Sequence, residues 1–282
     1  EIELIVSAND QLNELREKYG QQPFTVSPHN IHVVSPDFME ETGFSPDTVG
    51  VQDVKNQIIL INIGSLKNVS FAARALTHEL THLMGFVAFE AIDKDKDEAE
   101  TQVGDSYTDE SADGESNWAW DTYRMGVVTN NTYKKYRRSG THLENFRGLG
   151  EAIVEEIANR LTPRVISSTD NPKVVAELEW MKSDAAGRNA DKIAETLEIP
   201  RDEIIWVNED LDSDSKLAIL KPYRAERKVL HYIVEQIAEE SGCSKEEAMS
   251  KFFKAHFTGN IIEIARLINK TFGDELVFRT LG

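Results

Sequence analysis

Residues 78–82 read His78-Glu79-Leu80-Thr81-His82. On a helix, two histidines four residues apart lie about 40° apart around the axis and one turn apart in height. Two imidazoles placed in this way can grip one zinc ion. Glu79 falls on the same side and can reach a water on the metal without being a ligand. Chance alone would give the pattern in about one chain of this length in a hundred.

The flanking residues predict a helix running from Asn68-Val69-Ser70 to about Phe89. Ala72, Leu76, Leu80, Leu83 and Val87 form one apolar stripe. Phe71, Ala75, Gly85 and Phe89 surround the histidines on the other side. Only Arg74, Thr77 and Thr81 make a polar sector, so the helix should be buried on both faces. Histidines and a glutamate on a buried face need polar partners, and a metal supplies one. The small residues Ala75 and Gly85 leave room above the histidines.

Upstream, Ile2–Val6 reads as a strand, Asn9–Tyr19 as a helix capped by Asn9 or Asp10, and 31–34 as a short strand. The β-branched run QIILINI, 57–63, reads as a strand ended by Gly64 and Ser65. From Asn117 onward the pattern reads as helical. Pro163 and the polar stretch 167–172 suggest a boundary between a first domain, 1–165, and a second, 166–282. The second reads as helices alone, at about 173–183, 188–198, 224–240, 245–256 and 260–272. Ser244 and Glu247 fit a capping box, and Gly259 and Gly273 fit helix stops.

The segment LTHELTHLMGF resembles the active-site helix of the zincin metallopeptidases, and QIILINI then resembles the edge strand of their substrate cleft. The resemblance implies an α+β fold, with a zincin-like catalytic domain and an all-helical C-terminal domain. Its metzincin branch would need a histidine where Ala88 stands. The GTxxD pattern of aspzincins has Glu144 in place of the aspartate. The gluzincin pattern, a downstream helix bringing a glutamate with another acid four residues on, is similar to Glu151-Ala152-Ile153-Val154-Glu155. This implies Glu151 as the third ligand and Glu155 as a partner of a ligand histidine; Glu155 and Glu144 remain the alternatives. Glu156 lies inside the apolar arc of Leu149, Ile153, Ile157 and Leu161, with Arg160 one turn on to pair with it.

The resemblance implies a zinc-dependent peptidase with a peptide or protein substrate and Glu79 as general base. The rival readings are a zincin fold that binds or senses without cleaving, and a structural zinc site. A donor for the carbonyl oxygen is sought among Tyr123, Tyr133, Tyr136, His142 and Arg147. His29 and His32 read as structural, and His231 and His256 have no acidic motif beside them.

Composition narrows the rest. The 282 residues are 40% hydrophobic and 28% charged, which is ordinary for a folded globular chain. The formal charge of −18 argues against nucleic acid or anionic lipid as partner. No apolar run approaches the roughly 18 residues that span a bilayer. Residues 93–115 hold ten acids against Lys94 and Lys96 and read as a solvated loop. They start like an EF-hand but have no glycine at the sixth position and no glutamate at the twelfth. The lone Cys243 excludes an intrachain disulfide. A start at Glu1 reads as a processed chain, with a secreted or surface setting favoured over a cytoplasmic one.

Overall fold

The computed structural model describes residues 2–53, 57–66, 68–86, 88–93, 99–100, 118–124, 127–134, 137–138, 147–209, 218–273, 277–278 and 281. The fold is mixed α+β, with small sheets among many helices.

Helix α1 covers Ile2–Lys18. The strand expected at its start is instead helix, because Leu4, Ala8 and Leu12 repeat every four residues and bury one stripe. Asn9 does not cap it. Its Nδ2 donates to the carbonyls of Ile5 (2.9 Å) and Val26 (3.2 Å), and Val26 N–H donates to its Oδ1 (2.8 Å), pinning the following segment to the helix.

Strands β1 (Ile31–Val34), β2 (Gly50–Asp53) and β3 (Ile58–Asn62) form a sheet, with helix α2 (Pro36–Glu41) between the first two in sequence. The order is β1-β3-β2, β3 pairing parallel with β1 and antiparallel with β2. QIILINI is therefore the central strand and not an edge. Its buried Ile59, Leu60 and Ile61 fit that place. The edge strand packed against the HExxH helix is β2.

That helix is α3, Val69–Met84. The next elements are strands β4 (Ala88–Asp93), β5 (Ala99–Glu100), β6 (Trp118–Arg124), β7 (Val127–Lys134) and β8 (Arg137–Arg138). They form an antiparallel sheet in the order β5-β4-β6-β7-β8. The helical expectation after Asn117 thus fails at 118–124, 127–134 and 137–138. Trp118, Trp120, Tyr123, Val127, Val128, Thr129 and Thr132 are residue types that favour a pleated surface. Most of the acidic stretch, 94–98 and 101–115, lies outside the described residues.

Helix α4 spans Arg147–Ser167 and passes through Pro163, so the boundary expected at 165/166 falls inside a helix. Val165 and Ile166, beyond the proline, are buried, and that packing holds the last turn. Helices α5 (Pro172–Lys182) and α6 (Asp184–Leu197) follow, then strands β9 (Ile204–Val207) and β10 (Ala218–Leu220). The antiparallel β9–β10 pair corrects the expectation of helices alone after residue 166. Ile204, Ile205, Trp206 and Val207 carried that signal.

Helices α7 (Arg224–Ser241), α8 (Lys245–Thr258) and α9 (Ile261–Phe272) close the chain, with the capping box at Ser244 and Glu247 and left-handed stops at Gly242, Gly259 and Gly273. One apolar core takes in Leu12, Ile59, Leu80, Ile153, Ile237 and Phe252, so it runs across residue 165. A smaller cluster joins α6 to β9 through Ala190, Ile193 and Val207. Among the described residues, no helix is long and apolar enough to cross a membrane.

Candidate metal centre

Both ends of α3 are fixed by other elements. At its start, Phe71 N–H donates to the Asn68 side chain (2.7 Å). The Glu177 carboxylate of α5 accepts from Val69 N–H (2.8 Å) and Ser70 N–H (2.9 Å). A carboxylate on free N–H groups at a helix start is favoured by the helix dipole as well as by the bonds. At its end, His256 of α8 donates from Nε2 to the Thr81 carbonyl (3.0 Å), while Phe86 N–H donates to the His256 carbonyl (2.9 Å). The room left by Gly85 is filled by this imidazole, since a Cβ there would lie 2.7 Å from Nε2.

Twelve of the sixteen residues of α3 are buried, in line with a helix covered on both faces. The polar sector is buried too, and each member has its partner. Thr77 and Thr81 donate back to the carbonyls of Ala73 (2.7 Å) and Thr77 (2.6 Å). Arg74 pairs with Glu155, and both are buried.

Helix α4 lies along α3 with Leu149, Ile153, Ile157 and Leu161 in the core, as its apolar arc requires. This packing brings Glu151 to the histidines. Its Oε2 lies 3.2 Å from His82 Nε2 and 3.3 Å from His78 Nε2. The two Nε2 atoms are 3.2 Å apart. One turn on, Glu155 Oε2 accepts from His78 Nδ1 at 3.0 Å. A carboxylate only accepts, so the proton of a neutral His78 is on Nδ1 and the Nε2 lone pair faces the cluster. Burial works to raise the Glu151 pKa. The two histidines beside it, His82 foremost, outweigh burial, and the carboxyl is held well below its usual range, ionised.

These three atoms fit a zinc ion. Bonds of about 2.0–2.1 Å in a tetrahedron put neighbouring ligand atoms about 3.3 Å apart. The side chains of His78, His82 and Glu151 keep 10, 11 and 17% of their surface, so solvent reaches the cluster, where a water or a substrate would take a fourth position. Glu79 is buried against β2, whose Gly50 gives it space: a Cβ on Gly50 would lie 2.8 Å from Glu79 Oε1.

Tyr223, just before α7, stacks on His78 with ring centroids 5.7 Å apart and planes 8° from parallel. Sequence reasoning missed it, because nothing in the local pattern of Lys221-Pro222-Tyr223 points to a distant helix. Of the expected carbonyl-oxygen donors, Tyr123 and Tyr133 fall in β6 and β7, and Arg147 is the first residue of α4. Tyr136, His142 and Glu144 lie outside the described residues. His29 and His32 are exposed, and His231 pairs with Glu156 at 3.2 Å. Among the described residues, His78, His82 and Glu151 are the one cluster of metal-ligating type.

A comparison of the chain with protein-family models, with curated proteins and with solved structures finds no match.

Proposed function

We propose that this chain is a zinc-dependent peptidase with a zincin-like fold of the gluzincin type. The observation that carries the reading is the triangle of His78 Nε2, His82 Nε2 and Glu151 Oε2, whose sides are 3.2–3.3 Å. That is the spacing of three corners of a zinc tetrahedron. Glu79 is adjacent to His78 in sequence and outside the triangle, which suits a base and not a fourth ligand.

Zinc, when bound, supplies polarisation of the scissile carbonyl and acidification of the attacking water. Glu79 takes the proton from that water and delivers it to the amine nitrogen as the C–N bond breaks. Glu155, neutralised by Arg74, fixes the tautomer and rotation of His78. A peptide substrate would approach the exposed part of the triangle, and β2 packs on the same helix.

Metal analysis and casein hydrolysis on one preparation test the reading. About one zinc per chain with hydrolysis is expected. Glu79→Gln should keep the zinc and lose about 10²-fold or more in rate, since an amide cannot take the proton. A zinc-loaded Glu79→Gln protein with wild-type activity would sink the mechanism. Stoichiometric zinc without hydrolysis would instead favour a binding module.

A further inference from the structure

Tyr223 has φ 52° and ψ 37°, in the left-handed region. A bulky side chain is rare there, because its Cβ crowds the next carbonyl. Among the described residues, Gln57 and Glu198 are the other non-glycines with positive φ. Glu198 closes α6, where a left-handed residue serves the helix end. Tyr223 stands at a helix start, where the cap is normally extended and its side chain accepts from the first turn. It makes no such bond, and it serves α7 only through its carbonyl, which needs no left-handed residue.

The surroundings hold it there. Lys221 N–H donates to the Glu203 carbonyl at 2.8 Å. Buried Arg227 donates from Nε to the Pro222 carbonyl at 3.1 Å and pairs through its guanidinium with Glu203. Arg227 N–H also donates to the Tyr223 carbonyl at 2.8 Å. A turn pinned on both sides can keep a residue in a disfavoured well. What it achieves is the placement of the Tyr223 ring, almost parallel to His78. Glu155 fixes one edge of that imidazole, and the Tyr223 ring lies against its face.

We propose that Tyr223 is a positioning residue for His78, its backbone held strained so that the ring keeps the imidazole plane aimed at the metal. The proposal rests on the zinc reading of the site. Its test uses zinc alone as the probe, with affinity measured by chelator competition, and melting of zinc-free protein. Tyr223→Phe keeps the ring and should bind zinc within about twofold of wild type. Tyr223→Ala and Tyr223→Gly remove it and should bind about 10-fold more weakly or worse, the scale of losing a group that orients a ligand. Without zinc, Tyr223→Gly should melt roughly 2–4 °C above Tyr223→Ala, because glycine alone relieves the left-handed strain.

An alanine variant that binds zinc like wild type, or a phenylalanine variant as weak as alanine, overturns the positioning role. An alanine variant that melts at or above glycine overturns the strain. Wild-type protein that takes up no zinc removes the reading of the site itself, which is a different result from either.

Discussion

Gly50→Ala is the sharpest perturbation of the proposed base. The added methyl would sit 2.8 Å from both Cγ and Oε1 of Glu79 and 3.1 Å from Cδ. Ordinary contacts of that kind begin near 3.5 Å, so something must move by roughly 0.5–1 Å. Gly50 is paired with Ile61 in the β2–β3 ladder, which resists a backbone shift. The Glu79 side chain has rotatable bonds and moves instead. A misplacement of about 1 Å at a reacting group costs on the order of 10²-fold in rate. Stability should change by no more than about 1–2 kcal/mol, since the strain is relieved through a flexible carboxylate. The variant should therefore hold zinc as wild type does, melt within a few degrees of it, and lose about 10²-fold in casein hydrolysis. Full activity in Gly50→Ala would refute the idea that Glu79 works from its place beside β2. Loss of zinc together with activity would refute the separation of base from ligands.

Other outcomes follow from the same geometry. Glu151→Ala should lose stoichiometric zinc, whereas Glu155→Ala should weaken it about 10- to 100-fold; chelator competition on both variants checks the order. Glu177→Ala, which uncaps α3, should lower stability by about 1–3 kcal/mol, read as a drop in Tm of several degrees. Glu156 is pushed up by burial but held down to about 2 by the hydrogen bond from His231, the His231 charge and Arg160. Its folded pKa is below its ordinary 4.5, so its contribution is complete above pH 4.5 and fades as pH falls toward 2. That contribution is about 1–2 kcal/mol, because His231 is half exposed and water screens the pair. Glu156→Gln should flatten the acid limb of a Tm-against-pH curve, and an unchanged limb would remove Glu156 from the account.

The pair His78 and His82 was legible because one helix sets its own period. Glu151 and Glu155 were legible for the same reason, with the apolar arc of α4 showing which side must face the core. Elements whose periods compete were not. Ile2–Val6 suits a strand until Ala8 and Leu12 continue the stripe begun at Leu4. The β6–β7 pair sets Arg124 opposite Val127, a pairing that the residues of neither strand encode on their own. QIILINI was recognised as a strand, but its neighbours depend on pairing with β1 and β2, which its own residues do not encode. Tyr223 and His256 reach α3 from helices far along the chain, and contacts at that separation leave no local mark.

The adjacent acids Glu155 and Glu156 show how packing divides roles that sequence leaves together. They are about 100° apart around α4. Glu155 turns to α3, where it is fully buried between Arg74 and His78. Glu156 turns toward α7, to His231, while Arg160 bridges it to Glu246 of α8. A carboxylate without water, behind a candidate metal ligand, needs a counter-charge. Burial and nearby Arg227 lower the Arg74 guanidinium to about 9, with Glu156 and Glu203 opposing the shift, so it stays charged at neutral pH. Arg74 thus does for Glu155 what solvent cannot. Of the polar sector that interrupts the apolar faces of α3, Arg74 thus reaches the candidate metal centre through Glu155 and His78, while Thr77 and Thr81 bond to their own helix.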